Sequence, residues 1–181
     1  MDIYPFSRMK PKEIALAATF TSLSVAFRVS KNAVTAVQFI NIPLAFAFVS
    51  SVLFGARVGF LVGFLSYALS DLLIFPGAWT LVNATLAGLF ASLYRWVYHP
   101  GAGKTFNFVA TYILVFLFDI LTSAILYVLF GVGPLEAFLT GLVGEFLPVM
   151  GGYLVGVGPL TEGSTSLLAV LLIEELSKRK V

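Results

Sequence analysis

At 181 residues the chain has the length of one ordinary domain, yet 59% of it is hydrophobic and only 11% is charged, against about 25% charged in a soluble fold. A soluble globular domain is excluded, and the uncharged runs 32–56 and 72–94 exceed the roughly 20 residues that cross a hydrocarbon core, so a polytopic membrane protein is expected. No Cys and one His leave no disulfide, no thiol nucleophile and no expected metal or cofactor; the net charge of +2 concerns membrane orientation, not nucleic acid.

In chain order, Arg8, Lys10 and Lys12 precede an apolar stretch at about 13–29. It lacks a small-residue cleavage site followed by a polar domain, so it reads as a first transmembrane helix and not as a signal peptide. Pro43 opens a second run that Gly55-Ala56-Arg57 interrupts, giving two helices at about 42–55 and 57–74. After the Pro76-Gly77 turn a fourth span, about 79–97, carries Trp79 at one end and Tyr94, Trp96 and Tyr98 at the other, as an interfacial belt does. A fifth, about 107–130, stops at Gly131-Val132-Gly133-Pro134.

Charge parity organises the remainder. With a cytoplasmic N-terminus, Arg8, Lys10, Lys12, Arg57, Arg95, Lys104, Lys178, Arg179 and Lys180 all fall inside and only Arg28 and Lys31 outside, provided that 135–177 makes one net crossing. Either 135–156 spans, or 135–158 is a partly helical re-entrant outer loop and 160–177 spans. The second is favoured because Glu136, Glu145 and Glu162 stay nearer water. The expected fold is one all-α domain, a bundle of six transmembrane helices with a partly helical outer loop before or around the last, and with both termini cytoplasmic.

Gly55, Gly59 and Gly63 recur every four residues, a face for close helix approach within the chain or toward another subunit. Ala18, Ser22 and Ala26 make a similar stripe in the first helix, a docking surface or a packing face. GAGKTF at 101–106 lacks the Gly five residues before the Gly-Lys pair, so it is a basic turn and no nucleotide site. Asp119 sits mid-span, where a carboxylate is costly unless paired, protonated or facing a polar cavity, and shares a helical face with Tyr112, Phe116, Ser123 and Tyr127. That face either lines a solute cavity or is a hydrogen-bond hub. Asp71, near a span end, reads as solvated. Trp79 offers a ring for stacking and Asn83, one turn on, an amide; Gln38 and Asn41 are loop polars or vestibule contacts. No catalytic set assembles, since the carboxylates are scattered over different spans.

The basic N-terminus, small-residue first helix, Asn-Ile-Pro entry and FGARVGFLVGFLSYALSDLL, followed by Trp79-Thr-Leu-Val-Asn83 and Phe118-Asp119-Ile-Leu-Thr122, resemble the substrate-binding subunit, or S component, of an energy-coupling factor transporter. The resemblance covers about residues 10–130. It implies a membrane subunit that captures a vitamin or similar micronutrient at its outer face and docks on a transmembrane coupling subunit carrying two cytoplasmic ATPases. The family's Ala-x-x-x-Ala docking motif maps onto Ala18-x-x-x-Ser22, with Ala26 beyond. The end of the chain departs from the family's last loop and helix.

The leading expectation is therefore solute capture for ATP-driven uptake, with energy from partners and no catalysis in this chain. The pocket is expected among Gln38, Asn41, Trp79, Asn83, Asp119, Ser123 and Tyr127, and its acidic surroundings favour a neutral or cationic ring-bearing nutrient. The rival classes are an ion-coupled transporter or channel using Asp119, and a structural membrane subunit.

Overall fold

The computed structural model describes residues 9–35, 37–146 and 157–178, and among them every regular element is helical. Pro11 at the first helical position and the Glu13 carboxylate, accepting from the Lys10 amide at 2.8 Å, start α1 (Pro11–Val34). Asn41 caps α2 (Ile42–Phe54) by accepting from the Leu44 amide at 3.2 Å. Gly55, at φ +107°, ends α2 and lets α3 (Ala56–Ile74) leave in a new direction, in the left-handed region that favours glycine. α4 (Ala78–Val97) follows Pro76-Gly77, and a short 3-10 turn (Pro100–Ala102) leads to α5 (Lys104–Leu129). α6 (Pro134–Gly144) and α7 (Val157–Lys178) complete the order.

α2 is the centre. Every residue from Ile42 to Ser51 is buried, which is the pattern of a helix surrounded on all sides, and α1, α3, α4 and α7 all pack on it. Phe48 of α2 stacks on Tyr94 of α4 with ring centroids 4.2 Å apart. α3 lies between α1 and α4, and α5 is joined to α4, α6 and α7. The glycine stripe serves this internal packing: a methyl on Gly59 would lie 2.4 Å from the Ser51 Cβ, and one on Gly63 2.7 Å from the Ala87 carbonyl oxygen.

The outer surface is apolar, with Leu81, Leu89 and Leu93 of α4, Ile113 and Leu117 of α5 and Leu167 and Leu171 of α7 exposed. By length and composition α3 and α5 are helices apolar enough to cross a membrane. α6, with 11 residues, is about 16 Å long, roughly half a hydrocarbon core. The expectation that 135–156 spans falls partly on 147–156, outside the described residues, as do Arg8, Arg179 and Lys180.

Several bounds differ from those expected, among them the start of α7, at Val157 and not at about 160, the end of α1 and the start of α5. α1 continues past 29 to Val34, and Arg28 and Lys31, which read as an end, carry their charges onto partners within the chain: Arg28 onto the buried Asp71 and Lys31 onto Gln38 at the surface. α5 begins at Lys104, three residues early, because Gly103 at φ +83° turns the chain directly into the helix.

The α3–α4 crossing yields a test. Gly63→Ala adds a methyl against backbone that cannot rotate away, and should cost about 1–3 kcal/mol, seen as a lowered melting temperature in detergent. Gly101→Ala, with nothing within 4 Å of the added atom, should melt as the parent does.

Candidate functional site

The helix ends opposite Arg57, Arg95 and Lys104 enclose a cavity of about 420 Å³. The C-terminal ends of α1, α3 and α5 and the N-terminal ends of α2, α4 and α7 meet there, with α6 across one side. Its polar lining starts at Asn41, whose side chain is fixed by two duties. The amide oxygen caps α2 and also accepts from the Tyr67 hydroxyl at 2.8 Å, while the Asn41 backbone N–H donates to Thr165 Oγ1 at 2.8 Å. One residue thus ties α2, α3 and α7 at the cavity wall.

Arg28 reaches the same wall from α1. Its Nη1 lies 2.6 Å from Asp71 Oδ1 and also donates to Ser70 Oγ, and the guanidinium sits 4.9 Å from the centre of the Tyr67 ring. Asp71 is therefore not solvated as expected. It is almost wholly buried, and in an apolar medium a carboxylate is kept there by a partner of opposite charge. The loop before α2 is held from two sides. Lys31 donates to Gln38 Oε1 at 3.1 Å and to the Val37 carbonyl at 3.2 Å, while Thr161 and Ser164 of α7 donate to the carbonyls of Gln38 and Phe39.

The opposite wall is acidic. Asp119 and Glu145 line the cavity, and Glu162 stands behind them, with one oxygen from each lying within 4.8 Å of the other two. Gly158 makes this approach possible, since a methyl there would sit 2.5 Å from the Glu145 backbone oxygen. α6 presses on α5 at Gly141, whose added methyl would lie 3.1 Å from the Ile120 carbonyl. Phe118, Asn83, Thr122 and Thr140 complete a mixed aromatic, amide and hydroxyl lining, the composition of a small-molecule pocket.

Of the residues singled out in the sequence, Gln38, Asn41, Asn83, Asp119, Ser123 and Tyr127 line this cavity together. Trp79 does not. The tight Phe75-Pro76-Gly77 turn folds its ring back onto Phe75, 5.5 Å between centroids, and its indole N–H donates to the Phe75 carbonyl at 3.3 Å. On the Asp119 face, Tyr112 lies beside Glu162 and Phe116 packs on Phe146. Arg28, Tyr67 and Thr161 are lining residues that sequence reading did not select. The signal for Tyr67 was its place one turn before Asp71, in the polar stretch Ser66, Tyr67, Ser70, Asp71 of a helix that is otherwise mostly apolar.

Ala18, Ser22 and Ala26 are all exposed on α1, and Ser22 and Ala26 line a shallow groove that Leu69, Leu72 and Leu73 of α3 border. The 101–106 segment is a turn into α5 anchored by Asn107, whose side chain exchanges two hydrogen bonds with the His99 backbone at 3.1 and 2.9 Å. Lys104 pairs with Glu174 at 2.7 Å.

The family model for the ECF-type riboflavin transporter S component matches residues 9–161, and the chain belongs to that family. No curated protein and no solved structure matches it. The protein is a substrate-binding membrane subunit of an energy-coupling factor transporter, and members of this family work with other subunits of such transporters as substrate-binding subunits, not as enzymes.

The buried Arg28–Asp71 pair is testable apart from any ligand. Asp71→Asn strands a guanidinium in an apolar bundle and should cost about 3–5 kcal/mol, whereas Arg28→Met with Asp71→Leu should recover much of it. Thermal melts of the single and double variants check this; equal losses would mean the pair is not coupled.

Proposed function

We propose that this subunit captures a neutral or cationic ring-bearing nutrient in the cavity between Asn41, Asn83 and Asp119, and that riboflavin, the vitamin in the family's name, is that nutrient. The observation that carries the reading is the cavity's chemistry. Tyr67 and Phe118 give apolar ring surface, Asn41, Asn83 and Gln38 give amides, and Asp119 and Glu145 give acceptors for hydroxyl or N–H donors. Its one lining cation of permanent charge, Arg28, is already engaged by Asp71. A phosphorylated ligand would bring negative charge against an acidic wall.

Energy for uptake comes from a transmembrane coupling subunit and two cytoplasmic ATPases. The bundle crosses the membrane six times with both termini cytoplasmic, α6 being the short outer helix and α7 the last crossing. This reading rests on the nine-to-two division of Lys and Arg and on the length of α6. The cavity then opens outward, and the coupling subunit docks on the exposed Ala18, Ser22 and Ala26 face of α1.

Titrating riboflavin into the purified chain and following quenching of flavin fluorescence tests the assignment. Asn83→Ala and Asp119→Asn should each weaken binding about tenfold or more, equal to about 1.4 kcal/mol, while Trp79→Ala, outside the cavity, should bind as the parent does. The phosphorylated vitamin should bind more weakly than riboflavin. Parental affinity in both cavity variants would place the pocket elsewhere, and absence of flavin binding would overturn the choice of nutrient.

A further inference from the structure

The acidic wall holds more negative charge than the nutrient reading uses. Asp119 comes from α5, Glu145 from the end of α6 and Glu162 from α7, and one oxygen of each lies within 4.8 Å of the others. Like charges so close in a medium poor in water repel strongly, so three ionised acids persist together only with compensating charge.

A second, separate observation points to a ligand. Glu162 is completely buried, and among the described residues neither of its oxygens accepts a hydrogen bond of acceptable geometry, although the Tyr112 hydroxyl is nearby. A buried carboxylate normally has its acceptor capacity filled. Among the described residues the neighbouring cations are committed elsewhere: Arg28 to Asp71 and Ser70, Lys31 to Gln38 and the Val37 carbonyl. One of the buried Glu162 oxygens instead lies within 4.8 Å of an oxygen of Asp119 and of one of Glu145.

We propose that Asp119, Glu145 and Glu162 form a binding site for one hard divalent cation, of which Ca²⁺ is the best fit, in the wall of the solute cavity. An ion about 2.3–2.6 Å from each ligand oxygen holds opposed oxygens up to about 5 Å apart, which accommodates the 4.8 Å limit of this cluster. The ligands are all oxygen, with no His or Cys among them, and this selects Ca²⁺ or Mg²⁺ over softer ions. Three carboxylates carried by three separate elements adapt more readily to the flexible shell of Ca²⁺ than to the strict octahedron of Mg²⁺, and water from the open cavity fills the remaining positions. No metal was expected from the sequence, because the three acids stand far apart in the chain and only the folding of α6 and α7 against α5 brings them together.

The test needs no nutrient, so its failure leaves the riboflavin reading standing. Chelator-treated protein in discs of zwitterionic lipid is titrated with Ca²⁺, with Na⁺ at matched ionic strength as control. Bound metal is counted after gel filtration and the melting temperature followed. The expected result is a saturable rise in melting temperature with close to one Ca²⁺ per chain, and an affinity at least tenfold weaker in Glu162→Gln. Glu145→Gln should behave likewise, so the reading survives if one variant fails to fold. Glu136→Gln, an exposed acid on α6, should keep parental binding. No retained Ca²⁺, or equal binding by parent and Glu162→Gln, would overturn the site and leave protons as the compensating charge.

Discussion

A polar chain crosses the apolar bundle at one end, and the rest of the site depends on it. Thr165 of α7 accepts from Asn41, Asn41 accepts from Tyr67, the Tyr67 ring faces Arg28, and Arg28 pairs with Asp71. In an apolar bundle such groups need partners inside the protein, so the partners fix how α1, α2, α3 and α7 sit relative to one another. The glycine contacts of α3 with α2 and α4 supply close packing but little direction. The polar chain supplies the direction, and in doing so leaves one face of Asn41, Tyr67 and Arg28 on the cavity.

Charge is divided across that cavity. On the α1 side the cation is neutralised within the protein by Asp71; on the α5–α7 side Asp119, Glu145 and Glu162 are gathered, among the described residues, without a cation between them. A binding pocket built this way attracts donors and positive charge and repels anions. The exposed small-residue face and Arg28 lie on one helix, so the docking proposed for that face would act on the helix that carries part of the cavity wall. A capture subunit needs both features, a pocket and an unfilled helix face, and it needs no nucleotide site of its own.

Much of this was legible in the sequence, and the parts that were not share a cause. Apolar runs, the Pro and Gly breaks and the Asp119–Ser123–Tyr127 face are written locally, because helical period and the cost of a carboxylate in lipid act on neighbouring residues. The partner of Asp71 is not written locally, since Arg28 lies two helices earlier and only the α1–α3 packing brings them together. Trp79 was misplaced for a similar reason: its ring direction follows from the Pro76-Gly77 turn, which a one-dimensional reading treats as a mere boundary. Glu145 and Glu162 read as acids seeking water, and the path of α6 and α7 turns them inward to meet Asp119.

The central claim, that this chain captures solute and does not itself drive it across the membrane, is tested most directly by uptake of labelled riboflavin into vesicles. The chain alone should hold bound flavin but accumulate none, whatever proton or sodium gradient is imposed. With the coupling subunit and ATPases present, ATP should drive accumulation, and Ser22→Trp should abolish it while leaving flavin binding intact. Gradient-driven accumulation by the chain alone would contradict the account and make Asp119 the ion site of a self-sufficient transporter.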